Sequence, residues 1–274
     1  MKILSIDVGI KNLAFCLFEK PNDSEHFKIT KWDTVNISEQ ESFKCFFIEK
    51  NVLCNKAAKY KKNGECFCLK HSKKQPFQIP SSEQKPTFIN KQKIQNLYEI
   101  ANKHLITYEN KIKKLDLANL INEHISTNYF QCIEHTNASD VKLLDIGLNI
   151  KLHFDNLFSQ EESINYVIIE NQISPIATRM KTIQGMLVQY FVMSQVFVDN
   201  IEFISASNKL KDCNIKQKTK YSERKKIGIS KCLETISSDF RFNEHLHYFN
   251  SHKKKDDLSD SFLQGLWFIN DRKI

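Results

Sequence analysis

Long apolar runs are missing from this chain of 274 residues. None approaches the roughly 18 residues of a membrane span. The N-terminus passes from Met1-Lys2 straight to Asp7 and Lys11, without the apolar core or cleavage site of a secretory signal. An intracellular protein is expected. Glycine is scarce at six residues, which argues against chemistry built on glycine-rich phosphate and adenosine loops, and no internal repeat is present. Apolar residues, by contrast, make up 41% and aromatics 11%. That is enough at this length for one large domain, or a domain with an insertion, and it argues against disorder. Basic residues exceed acidic ones by 40 to 32, a net charge of +8. Such a balance suits a polyanionic partner, although solvated surface lysines produce the same excess.

Segment 2–8, "KILSIDV", alternates and is rich in β-branched residues. After the Gly9 turn, "NLAFCLFEK" reads as its antiparallel partner, with "FKITKWDTVNI" as a third strand. From 45 to 86 the pattern breaks into Lys, Cys, Gly, Pro and Ser, the composition of an insertion. The main domain is then expected over 1–44 and 87–274. One or two amphipathic helices fit 90–125, and another fits 139–158, with Ser139 and Asp140 suited to capping it. A strand "INYVIIENQ", a helix from Thr178, a strand "NIEFISAS", a basic stretch and a last helix near "KKKDDLSDSFLQGLWFI" complete the chain. This order predicts a mixed α/β sheet flanked by helices.

Three distant segments each offer carboxylates. Asp7 and Glu170 emerge from apolar strands, where an unpaired charge would cost several kcal/mol. Asp256, Asp257 and Asp260 cluster at the start of the last helix, where spacings of three or four share one face. The helix dipole alone would favour acids there, but it does not explain the strand acids. A shared cation explains all of them. Oxygen ligands without His or Cys point to Mg2+ or Mn2+, and two such ions form a clamp for phosphodiester hydrolysis.

"SIDVGIKNLAF", "VIIENQISPIATRMKTIQGMLVQYF", "SASNKLK", "YSERKKIGI" and "KKKDDLSDSFLQGL" together resemble the Holliday-junction resolvases of the RNase H-like superfamily. The branch is that of yeast mitochondrial resolvases and of poxviruses and other large DNA viruses. The resemblance runs through nearly the whole chain except 45–135. It implies an RNase H-like mixed five-stranded sheet flanked by helices. It also implies a homodimer that binds a four-way DNA junction and makes paired, symmetric nicks leaving 5′-phosphate ends, with two Mg2+ (or Mn2+) ions per active site. Asp7, Glu170 and Asp260 match the family's acids by position. The fourth acid is Asp257 by the bacterial spacing or Asp256 by the yeast-type spacing. Viral members would act where viral DNA is replicated.

Beside such a site the basic residues acquire roles. Lys254, with Lys253 and Lys255, precedes the acids and is placed to hold the scissile phosphate, unless these are a solvated turn. Arg179 and Lys181 open the helix after Glu170 and suit a backbone phosphate. The run 209–226, with Lys209, Lys211, Arg224, Lys225, Lys226 and Tyr221, reads as a DNA-binding flap. Cys45, Cys54, Cys66, Cys68 and His71 resemble a small zinc-binding insertion of viral members, four of the five being needed for a structural zinc; reduced, unligated thiols are the other reading. Cys16, Cys132, Cys213 and Cys232 lack partners at ligand spacing and read as buried thiols. A broader flap or hybrid nuclease, and a non-catalytic DNA-binding or transcription protein, are the competing functions. The likeness of "IDVGIKN" to the first phosphate loop of sugar kinases has no later motif to support it.

Overall fold

The computed structural model describes residues 1–40, 43–134, 137–172, 178–211 and 220–274. The chain forms two units, Met1–Glu39 with Asn137–Ile274, and Gln40–Thr136. The first unit opens with the expected meander, β1 (Lys2–Asp7), β2 (Leu13–Glu19) and β3 (Lys28–Val35), paired antiparallel. Gly9 is needed at the first turn, since a Cβ there would stand 2.3 Å from the Asn12 carbonyl oxygen.

The second unit comprises β4 (Ile48–Glu49), β5 (Val52–Leu53), β6 (Tyr60–Lys62), β7 (Glu65–Phe67), α1 (Leu69–Ser72), α2 (Pro86–Ile89), α3 (Ile94–Lys103), α4 (Lys114–Asn128) and β8 (Gln131–Cys132). The β4–β5 hairpin closes on Lys50-Asn51, with φ of 52° and 63°, and the β6–β7 hairpin on Asn63-Gly64, with φ of 49° and 84°. Left-handed pairs of this kind match the twist of the strands they join. Helices α3 and α4 bury Leu97, Ala101, Leu117, Ile121 and Ile125 against each other. Lys62 of β6 is buried and donates from Nζ to the carbonyls of Thr127 (2.8 Å), in the last turn of α4, and Tyr129 (3.1 Å), just after it. These contacts bind the helices to the cysteine-bearing hairpins. The unit therefore runs over 40–136, not the 45–86 expected, and residues 87–136 belong to it instead of to the main sheet.

The first unit resumes with α5 (Leu143–Phe158), β9 (Ser163–Asn171), α6 (Thr178–Met193) and β10 (Phe197–Ser205). A 3-10 turn (Ala206–Leu210), α7 (Tyr221–Ser238), α8 (Leu246–Ser251) and α9 (Lys255–Arg272) follow. Lys142, not Ser139 or Asp140, precedes α5, and no side chain caps it, because Ala138–Asp140 form a separate 3-10 turn. From Tyr221 onward the expected basic flap is helical; Cys213 and the rest of 212–219 lie outside the described residues.

The sheet has the order β10-β9-β1-β2-β3, with β1, β9 and β10 parallel. Strand alternation sorts its side chains. Leu4, Ile6, Phe15, Val167 and Ile169 meet Ile150 and Phe154 of α5 and Ile183 and Leu187 of α6. Ile3, Cys16, Phe18, Ile168 and Ile204 meet Cys232 of α7 and Leu258, Phe262 and Phe268 of α9. The same period puts Ser5 and Asp7 on the face of Ile3, and Glu170 on the face of Ile168, so both acids look toward α9. Ile6 lies beside Ile169 in register, which brings Asp7 and Glu170 to one edge of the sheet, at the carboxyl ends of parallel strands.

Three contacts seat α9. Gln264 donates from Nε2 to Ser5 Oγ (3.2 Å) and the Ile6 carbonyl (3.2 Å), and Trp32 Nε1 donates to the Leu258 carbonyl at 3.1 Å. Gly265 lies against Phe18, whose ring would be 2.3 Å from a Cβ at that position. Phe18 is fully buried and packed against the rings of Phe242 and Phe262. Gly265→Ala is therefore expected to destabilise the fold by about 1–3 kcal/mol through overpacking, read as a lower urea midpoint. An unchanged midpoint would mean that the Phe18 ring can move aside.

Candidate functional site

Asp7 ends β1, Glu170 lies one residue from the end of β9, and Asp257 and Asp260 occupy the first turns of α9. Together they line a cavity of about 400 Å³, with Gly9, Asn12, Gln172, Lys209, Tyr221, Arg224 and Lys225 among its other walls. Lys209, from the 3-10 turn after β10, reaches into the cluster. Its Nζ lies 2.6 Å from Asp7 Oδ1, 3.1 Å from Glu170 Oε2 and 3.6 Å from Asp260 Oδ2, with only 5% of the side chain exposed.

The electrostatics follow from crowding and burial. Burial pushes the Asp7 carboxyl upward, but the Lys209 ammonium and a hydrogen bond shared with Glu170 hold it below its ordinary value. Glu170 is pushed up to about 8 by burial and by Asp7, with Lys209 opposing. Burial raises Asp260 to about 6 against the pull of Lys209. Asp257 is raised by burial and by Asp256, and its buried Oδ2 has no hydrogen-bond partner. Burial works against the Lys209 ammonium, yet Asp7, Asp260 and Glu170 raise its pKa well above the ordinary value. Carboxylates gathered this closely, with Asp257 Oδ2 lacking a hydrogen bond, could take a cation through oxygen.

Asp256 is elsewhere. It is bound by Lys225 Nζ at 2.5 Å and does not line the cavity. Lys254 keeps its Nζ 4.0 Å from Asp257 Oδ2 with about half of the side chain (47%) exposed.

Several residues expected at a DNA surface are engaged within the protein. Lys209 is buried among the carboxylates, whose charge it balances. Lys225 holds Asp256. Arg179 donates to the Val141 carbonyl and is half-buried, with its Nε unpartnered. Lys255 is half-buried as the first residue of α9. Lys181, Arg224 and Lys226 are exposed, Arg224 beside the cavity, and Lys211 is exposed with its Nζ 5.8 Å from the centre of the Trp267 ring.

In the second unit, Cys45, Cys54, Cys68 and His71 form a cluster whose ligand atoms all lie within 4.8 Å of one another. Cys45 Sγ is 3.4 Å from His71 Nδ1, and the sulfurs of Cys54 and Cys68 are 3.9 Å apart. A zinc tetrahedron with metal–sulfur bonds of about 2.3 Å has edges of about 3.8 Å, so the spacing suits that ion. The β4–β5 hairpin joins Cys45 to Cys54, and Cys68 with His71 opens α1. Burial disfavours the Cys68 thiolate, but backbone N–H groups at that helix start and the neighbouring thiols bring its pKa below the ordinary value. Cys66 is outside the cluster: it is paired with Lys61 in the β6–β7 hairpin, and its carbonyl accepts from Phe46 N–H. His71 Nε2 lies 3.3 Å from Glu49 Oε2, and Lys70, Lys74 and His71 hold that carboxyl at about 2. Carboxylates in this position orient metal-binding imidazoles. Cys16 and Cys232 are buried as expected, Cys132 is half-buried, and burial raises the Cys16 and Cys232 thiols, the latter to about 12.

Sequence reasoning missed Gln264, Glu49 and the buried position of Lys209. Gln264 had a signal, being an amide one turn after Asp260 on a face otherwise apolar. Glu49 lies midway between two cysteines.

A family model described as mitochondrial resolvase Ydc2 / RNA splicing MRS1 matches residues 3–172, a stretch that includes Asp7 and Glu170 and stops before α9. A protein of Acanthamoeba polyphaga mimivirus, L451, is 26% identical over 317 aligned positions, covering 98% of this chain and 74% of that one. Among solved structures, the fowlpox virus Holliday junction resolvase is 14% identical over 99% of both chains, with a TM-score of 0.44. The yeast mitochondrial Holliday junction resolvase Ydc2 is 13% identical over 97% of this chain and 77% of that one, with a TM-score of 0.40. With 3–172 matched, more than half of its length, the chain belongs to the mitochondrial resolvase Ydc2 / RNA splicing MRS1 family.

Proposed function

We propose that the chain is a metal-dependent endonuclease that resolves four-way DNA junctions by paired, symmetric nicks. The observation that carries this reading is the convergence of Asp7, Glu170, Asp257 and Asp260, from three segments far apart in sequence, on one cavity in which the buried Lys209 ammonium meets Asp7, Glu170 and Asp260. Burying so much like charge is costly. A protein that only bound nucleic acid, as the splicing branch of the family would allow, has no use for it. The donors are all oxygens, the set preferred by Mg2+ and Mn2+, and an Asp257 oxygen without a hydrogen bond fits a ligand role. Two bound ions would supply an activated water and stabilisation of the leaving 3′ oxygen. The chain's own residues do the rest: Gln264 sets the rotation of α9, so that Asp257 and Asp260 face the strand acids. Arg224, exposed beside the cavity, is free to hold phosphate, and Lys254, about half exposed, could do so by releasing Asp257.

Paired nicks need two such sites, so the acting form is a homodimer. Leu144, Leu148 and Leu152 recur at four-residue spacing on α5 and are 70%, 59% and 59% exposed, which supports self-association. Among the described residues no helix is long and apolar enough to cross a membrane. The mimivirus relative supports action where viral DNA is replicated.

The test is cleavage in Mg2+ of a four-way junction against linear duplex, flap and RNA–DNA hybrid. Symmetric cutting of the junction, at least about tenfold faster than of the others, is expected. Preference for the hybrid, or no cutting of any substrate, would contradict the reading.

The same proposal assigns a structural zinc to Cys45, Cys54, Cys68 and His71. Metal analysis of the purified protein is expected to find about one zinc per chain, and a chelator should lower the stability of this lysine-rich unit, since metal binding is folding energy in small modules. Protein free of zinc and indifferent to chelation would return the cysteines to reduced, unligated thiols.

A further inference from the structure

Net charge is shared unequally between the two units. Residues 40–136 hold sixteen lysines and nine acids, or +7, which leaves 24 basic and 23 acidic residues for the unit that carries the carboxylate site. The excess is densest over 44–74, with nine lysines against two glutamates. That stretch also carries apolar surface. Phe46 is 68% exposed, Ile48 64% and Leu53 51%. Ile48 and Leu53 face each other across the β4–β5 hairpin, and Phe46 lies two residues before Ile48, so the three share a side. Phe47 turns the other way and stacks on His71, with ring centres 4.4 Å apart. Exposed lysines surround the apolar side: Lys50 at the hairpin tip, and Lys44 and Lys56 at its base, where the Cys45 N–H donates to the Lys56 carbonyl at 2.8 Å.

Charge selects the occupant of this surface. A second copy would bring the same lysines and repel. A nucleic acid answers both features at once, with phosphates for the ammonium groups and bases for the apolar side chains, which act as wedges or stacking platforms in many complexes. We propose that the β4–β5 hairpin is a nucleic-acid contact: Lys44, Lys50 and Lys56 bind phosphates, and Phe46, Ile48 and Leu53 lie against bases left accessible in branched DNA. The hairpin then supplies affinity that the nearly neutral catalytic unit lacks. This rests on reading the chain as a nuclease of branched DNA.

The test uses the full chain in Ca2+, where a four-way junction can be bound without being cut, followed by fluorescence anisotropy over a range of salt. Replacing Lys44, Lys50 and Lys56 together by Gln should lower the slope of log affinity against log salt by about 2–3, near 0.9 per phosphate contact. Affinity at 100 mM salt should fall at least about tenfold. A second variant, Phe46→Ala with Ile48→Ser, should leave the slope unchanged while weakening binding to the junction several-fold more than to linear duplex. Circular dichroism and zinc content identical to wild type confirm that both variants fold. Variants that bind with the wild-type affinity and slope would overturn the proposal, as would a loss of self-association in place of DNA binding. If the wild type cuts junctions and the variants bind normally, only the hairpin assignment fails. A wild type that neither binds nor cuts junctions removes the nuclease reading and the hairpin assignment with it.

Discussion

Glu170→Gln is expected to abolish junction cleavage in Mg2+ while leaving junction binding within a few-fold of wild type. The substitution keeps the size and hydrogen-bonding reach of the side chain but removes the carboxylate that could ionise to bind a cation, where Glu170 lies beside Asp7 and 3.1 Å from Lys209. Outer-shell partners of metal ligands cost about 10–100-fold when removed, so a ligand itself should cost at least about 100-fold. Asp7→Asn should behave alike, and Asp256→Asn should cost much less, because Asp256 is held by Lys225 away from the cavity. Single-turnover cleavage beside anisotropy in Ca2+ separates the two effects. Undiminished cutting by the Glu170 variant would remove it from the mechanism, and equal losses in binding and cutting would mean that it merely supports the fold.

Lys209→Met should have the largest effect on stability. The ammonium is nearly inaccessible and touches Asp7, Glu170 and Asp260. Taking one partner from a buried ion cluster costs about 3–5 kcal/mol, or roughly 6–20 °C in melting temperature for a chain of this size. The sign with pH can be worked out. Without the ammonium, the carboxylates of the folded state have pKa values above those of the unfolded chain, in the direction burial already drives Glu170 and Asp260. The penalty is then full only above the raised folded-state values, beyond about 8 for Glu170, and it is relieved as pH falls toward the unfolded-chain values and the carboxyls take up protons. A divalent ion replaces the missing charge, so melting in EDTA and in Mg2+ should differ more for Lys209→Met than for wild type. Equal melting of variant and wild type in EDTA at pH 7.5 would show that Lys209 does not hold the cluster together.

Much of this site was legible because acids in apolar strands are rare and need a reason. Asp7 and Glu170 stood out for that, and strand alternation then carried both to the α9 face. The choice between Asp256 and Asp257 was not legible. Spacings of three and four both share a helix face, and the rotation of α9 is set by Gly265 against Phe18 and by Gln264 against Ser5, contacts between residues about 250 positions apart. Lys209 was hidden in a run of lysines that resembles solvated surface, and Arg179 in a pattern that gives no sign of the Val141 carbonyl. The boundary at 86 misled for a related reason. Helices α3 and α4 show amphipathic faces in sequence, but sequence does not say that those faces bury each other. The cysteines narrowed the metal site to five candidates. Only the hairpin pairing of Cys66 with Lys61 separates it from the four that converge.

Anomalous scattering from crystals grown with Mn2+ and DNA tests most directly whether these carboxylates serve as a metal clamp. Peaks between Asp7, Glu170, Asp257 and Asp260, with the Lys209 ammonium withdrawn from its present contacts, are expected. Manganese bound at other places while Lys209 still fills the carboxylate cluster would contradict it.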